Sequence, residues 1–193
     1  MIAATVGDEV ISVAEVDRRM RDLYEGPLAA RLPHPASPEG RNLRRWLVQL
    51  MTMERVVAQE YRDLRKRGES GQTASDGPAG GPDQVAPVTL PIALRTGGVI
   101  ASVLSTPAGQ SLFTRIDAGL PPDEVRAYYD RNRDRHPGPF DGESAGIAAQ
   151  LVQARKETLF VRWLERRHRE KVTLMPGFEH PGDPRQPDAT HRH

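Results

Sequence analysis

From Val13 onward the apolar positions fall into stripes at three- and four-residue spacing, the pattern of amphipathic helices. Val13, Val16, Met20, Leu23 and Tyr24 form the first stripe. Ser12 and Glu15 stand at capping-box positions, where Ser12 accepts from the third helical amide and Glu15 reaches back. Gly26-Pro27 ends that helix. Before it, Thr5-Val6 and Val10-Ile11 flank the turn-forming Gly7-Asp8-Glu9, which predicts a short hairpin over residues 3–11. A Pro-rich bend at residues 32–35 leads to Ser37-Pro38, an N-cap followed by proline at the first helical position. The long helix it opens runs to Arg67, with Leu43, Leu47, Leu50, Val57, Tyr61 and Leu64 on one seam, widened by Trp46 and Met51.

Periodicity then stops. Residues 68–95, and Gly68 to Pro91 above all, are rich in Gly, Ser, Pro, Asp and Gln. They lack the apolar surface that would offset the entropy of ordering, so they read as a flexible linker. Val99, Ile100, Val103 and Leu104 predict a short helix. Thr106-Pro107 caps a second helix bearing Leu112, Phe113 and Ile116, and Pro122-Asp123-Glu124 opens a third with Val125, Tyr128 and Tyr129 inside, stopped at Asn132. Ser144 is the expected cap of a last long helix whose inward positions are Ile147, Leu151, Ala154, Phe160, Trp163 and Leu164. Arg166-Arg167-His168-Arg169 places cations at its negative end. Residues 171–175 read as a strand, and residues 176–193 as a Pro- and His-rich tail with no core-forming pattern. Neither half, 1–67 or 96–175, can bury its stripes alone, so the two are expected to share one core.

Composition narrows the classes. The hydrophobic fraction of 37% is low, in keeping with a linker and a tail outside the core. The net charge of +1 supplies no electrostatic reason to expect nucleic acid or an anionic membrane. Cysteine is absent, which excludes disulfides, thiolate nucleophiles and Cys-ligated zinc. Met1 to Thr5 lacks a basic, apolar leader and no stretch approaches a membrane span, so a cytoplasmic setting is the expectation.

Two segments carry a family resemblance. Val6-Gly7-Asp8-Glu9-Val10-Ile11-Ser12 resembles the opening of SurA-like and PpiC-type foldases, and Pro122-Asp123-Glu124-Val125-Arg126-Ala127-Tyr128-Tyr129-Asp130-Arg131-Asn132 is similar to another of their segments. The resemblance spans residues 3–67 and 97–175. It implies a mainly α, SurA-like helical domain in which a small N-terminal β-hairpin pairs with a C-terminal strand. Proline-isomerising members insert a parvulin domain where this chain has its linker, so prolyl isomerase activity is not expected. The tail from Phe178 to His193 resembles the endings of small actinomycete proteins encoded beside aromatic polyketide pathways of angucycline and gilvocarcin type. That resemblance implies a tailoring or accessory role on a polycyclic quinone, with a reductive or methyl-transfer-linked step.

Candidate chemistry follows from residue type. His191 and His193 are two apart, which places both imidazoles on one side of an extended chain. With His180, and Asp183 or Asp188, they could hold a divalent metal, or one imidazole could act as a general base. His180, Asp183, His191 and His193 are therefore the catalytic candidates, and the three histidines the metal candidates. Trp46, Tyr128 and Trp163 are flat inward-facing surfaces suited to an aromatic ligand, or to a helical core. Glu54 interrupts the long seam, either as a buried site-marking acid or at its margin, paired with Arg55 or Arg62. No phosphate loop, nucleophile elbow, HExxH or dinucleotide fingerprint occurs. The favoured function is thus a tailoring or accessory protein whose partner is a small aromatic molecule or another tailoring enzyme. The alternative is a peptide-binding chaperone module.

Overall fold

Two 32-residue helices set the frame, each about 48 Å long at the standard rise. The computed structural model describes residues 1–69 and 97–183. Strands β1 (Ile2–Val6) and β2 (Glu9–Ser12) form a hairpin, followed by α1 (Val13–Glu25), a 3-10 turn (Ala29–Arg31) and the first long helix, α2 (Pro38–Glu69). After residue 97 come α3 (Gly98–Leu104), α4 (Pro107–Thr114), α5 (Pro122–Arg131), the second long helix α6 (Phe140–Lys171) and β3 (Val172–Leu174). The protein is mainly helical, with one small antiparallel sheet in the order β2-β1-β3. β3 joins the N-terminal hairpin in the register Ala4↔Leu174, Thr5↔Thr173, Val6↔Val172.

Local chemistry explains most boundaries. Gly7 takes a positive φ of 54° in the hairpin turn, where a Cβ would be strained. Ser12, Ser37 and Thr106 each accept a hydrogen bond from the backbone amide three residues on, at 3.0–3.1 Å. Glu15 does not complete the capping box: its carboxylate binds Arg55 at 2.7 Å instead. Nor does Ser144 cap the last helix. That helix starts at Phe140 behind Pro139, whose fixed φ suits a helix entrance, and the Ser144 hydroxyl donates to Asp141 O within the first turn. Helix α2 runs to Glu69, so the first two residues assigned to the linker belong to its last turn. The rest of the linker, and the tail from residue 184 with Asp188, His191 and His193, lie outside the described residues.

The main core takes residues from both halves of the chain. Val6, Ile11, Val16, Val48, Val56 and Val57 meet Ile100, Val103, Phe160 and Leu164 in one buried cluster. Helix α2 is central to it, touching β1, α1, α3, α4 and α6. A helix covered on several sides has no single apolar seam. Its deepest positions are Val48, Thr52, Val56 and Val57, while Leu50, Tyr61 and Leu64 are half-buried and Trp46 is 37% exposed. A Cβ on Gly109 would collide with the Val103 backbone, so α3 and α4 can meet this closely only with glycine there. A second, smaller cluster of Val125, Tyr129 and Ile147 joins α5 to the first half of α6. Helix α6 therefore faces α5 with one stretch and α2 with another, and Ala154, between the two, is exposed.

No helix among the described residues is long and apolar enough to cross a membrane.

Candidate functional site

Polar residues interrupt the buried side of α2 at helical spacing. Asn42, Arg45, Gln49 and Thr52 are all buried, and Gln49 is 3% exposed. Thr52 Oγ1 lies 2.9 Å from Gln49 O in its own helix and 3.0 Å from His168 Nε2 on α6. A hydroxyl has one proton, so both contacts are hydrogen bonds in one arrangement: Thr52 donates to the Gln49 carbonyl and accepts from His168 Nε2–H. In the neutral His168 ring this leaves Nδ1 as the acceptor. Burial, and next the charge of His180, hold its pKa below the ordinary 6.5. His168 is therefore not one of the cations expected at the end of α6. Gln49 Nε2 is among the buried polar atoms that have no hydrogen-bond partner among the described residues, a costly state for a buried donor.

The chain end closes over this region. Past β3, Met175 N–H donates to Ala3 O at 3.0 Å, and Gly177, at φ 90°, lets the chain reverse. Phe178 then packs on the main core beneath the Arg44 guanidinium, 5.5 Å from its ring centroid. Pro181 is buried. These contacts set two residues of the tail, a segment with no core-forming pattern of its own, against the core. His180 lies edge-on to Trp46, with ring centroids 5.4 Å apart and planes at 72°. Its Nδ1 accepts from Gly182 N–H at 3.0 Å, which leaves Nε2–H as the donor of the neutral ring. Asp183 N–H donates to His180 O and closes the turn.

Between these walls is a cavity of about 430 Å³ lined by Trp46, Gln49, Met53, His168 and His180, with Glu165 and Arg169 from α6 and residues 97–100 completing it. On the other side of Trp46 and Val99 is an apolar cavity of about 440 Å³ walled by Leu23, Leu43, Leu47 and Leu50. A third, larger cavity, about 800 Å³, is an open apolar groove between residues 114–120 and the α5–α6 pair, with Ile116, Val125, Phe140 and Val152 among its walls and Lys156 at hand.

Of the residues singled out by sequence, Trp46 and His180 come together at the first cavity. Three others lie elsewhere. Glu54 pairs with Arg19 at 3.2 Å, not with Arg55 or Arg62, which turn to Glu9. Tyr128 belongs to the second cluster, its ring 5.9 Å from that of His136. Trp163 stacks on Phe160 at 5.5 Å as part of the main core. Among the described residues no group of three His, Cys, Asp or Glu is placed to hold a metal ion; His191 and His193 lie outside them. Gln49, Thr52 and His168 were missed by sequence reasoning. The available signal was the spacing of polar residues 42, 45, 49 and 52 along α2, which by itself also describes a solvated face.

The chain matches the model of a family of unknown function (DUF7158) over residues 2–39. No curated protein and no solved structure matches it.

Proposed function

We propose that the protein binds a flat aromatic molecule in the cavity walled by Trp46, His168 and His180, as an accessory or tailoring protein acting on a polycyclic quinone. The observation that carries this reading is the return of the chain end onto α2. It sets the His180 ring against Trp46 at 5.4 Å beside the buried, unsatisfied Gln49 amide. Aromatic and thioether surfaces from Trp46 and Met53 suit a ring system. Gln49 Nε2 and His180 Nε2–H are donors suited to a quinone carbonyl. The aromatic polyketide setting rests on the resemblance of the tail.

Trp46 reports on its own cavity once the other tryptophan is removed. In a Trp163→Phe protein, 2-methoxyanthraquinone should quench Trp46 emission saturably, and Gln49→Met should weaken that binding about fivefold, the worth of one neutral hydrogen bond. Linear, unsaturable quenching would sink the reading.

The open 800 Å³ groove favours a second reading, a SurA-like module that binds extended apolar peptide without isomerising proline. On that reading an unfolded client peptide should protect Ile116 and Phe140 in hydrogen exchange or cross-linking and leave Trp46 emission unchanged.

A further inference from the structure

We infer that the cavity selects an aromatic ligand bearing a free phenolic hydroxyl, remote from its ring carbonyls, with His168 Nδ1 accepting the hydroxyl proton in a hydrogen bond and Thr52 as the positioning residue that fixes the imidazole tautomer. This rests on the aromatic-binding reading above and names the ligand class it leaves open.

The argument is one of donor and acceptor supply. The open donors that α2 and the chain end give the cavity are Gln49 Nε2, unsatisfied among the described residues, and His180 Nε2–H. A plain quinone, with acceptors alone, would use these and leave His168 unanswered. The Thr52 hydroxyl, fully buried, spends its proton on Gln49 O at 2.9 Å and can meet His168 Nε2 at 3.0 Å as an acceptor. The imidazole proton is thereby held on Nε2 and the Nδ1 lone pair is left for a donor. Thr52 is reached from His168 across 116 residues of sequence, so the pairing belongs to the folded core and not to local chain geometry. The charged and titratable groups around His168 are Glu165 and Arg169 on its own helix and His180 from the chain end, with Gln49 and Thr52 facing it from α2. Burial and His180 both disfavour a charged His168, so it stays an acceptor at neutral pH.

The test compares 2-hydroxyanthraquinone with 2-methoxyanthraquinone, which keeps the ring and carbonyls and loses the donor, using the Trp163→Phe protein at pH 6.5. The hydroxyl compound should bind at least about fivefold more tightly. Thr52→Val should abolish that preference while the methoxy compound binds as before, and Thr52→Ser should restore it. Should Thr52→Val fail to fold, His168→Phe, which keeps a ring and removes the acceptor, should abolish the preference equally. Lowering the pH should erase it too, because protonation turns Nδ1 into a donor. In His180→Phe protein, where one imidazole is gone, the response should persist. Equal affinity for the two compounds would overturn the inference and leave aromatic binding standing. Saturable binding of neither would overturn both, and a preference unchanged in both Thr52→Val and His168→Phe would assign the acceptor elsewhere.

Discussion

His168 and Arg55 show how single side chains tie distant parts of this chain together. Burial, with the charge of His180, lowers the folded pKa of His168 below 6.5. The unfolded chain therefore takes up this proton first as pH falls. The contribution is fully present above pH 6.5 and is lost as pH drops through 6.5 toward the lowered folded value. Thermal melts should show a falling midpoint across that window, and His168→Gln should flatten it. An unchanged slope would mean that other groups carry it. Arg55 binds Glu9 at 2.9 Å and Glu15 at 2.7 Å, clamping the hairpin and the start of α1 to α2. The bond from Arg55, the largest influence, lowers the Glu9 pKa below 4.5 against an opposing cost of burial. Stability from this carboxylate is full above pH 4.5 and is lost as pH falls through the lowered value. The groups are about one-third exposed, so solvent screening limits Arg55→Met to about 1 kcal/mol at neutral pH. That is about 2–4 °C in a melt. None of these partnerships could be read from the sequence. Spacing alone describes Glu15 equally well as half of a capping box, and Arg55 is 40 residues away from it.

At the scale of elements, the order and type of every α-helix among the described residues and of the hairpin were legible, because caps and stripes are local. Ser12, Ser37 and Thr106 state where helices start, and Asn132 where one ends. What the pattern could not state is which side of a long helix is deepest. Helix α2 is enclosed by neighbours from both halves, so polar Gln49 and Thr52 enter the interior and Trp46 stays partly outside. Helix α6 serves two clusters, which dilutes any single stripe and misplaced Ala154. The two clusters should respond differently to truncation. Phe160→Ala removes a fully buried ring from the main core and should cost about 3–5 kcal/mol, lowering the global melting midpoint by on the order of 10 °C. Ile147→Ala should cost about 2–4 kcal/mol, felt chiefly as faster hydrogen exchange in α5 and the first half of α6. Equal loss of protection in the sheet would show that the second cluster is not a separate cooperative unit.

For the whole molecule, the central feature is that the chain closes on itself. β3 pairs with β1, and residues 176–183 continue across α2 to Trp46. The pairing of hairpin and final strand was an expectation of the family resemblance. Which residues of the tail dock was not legible, because one Phe and one Pro make no periodic pattern. A chain ended at Met175 should therefore be less stable than one ended at Asp183, by about 1–3 kcal/mol for the lost burial of Phe178. Equal melting midpoints for the two truncations would show that the docked residues contribute nothing. The most direct test of the aromatic-binding account is nuclear magnetic resonance of the full chain during titration with 2-methoxyanthraquinone. Ring-current shifts should appear together at the Trp46 indole and the His168 and His180 imidazoles, saturating with one affinity, while Ile116 and Phe140 stay unmoved. Shifts confined to Ile116, Val125 and Phe140, or none at any of these residues, would contradict it.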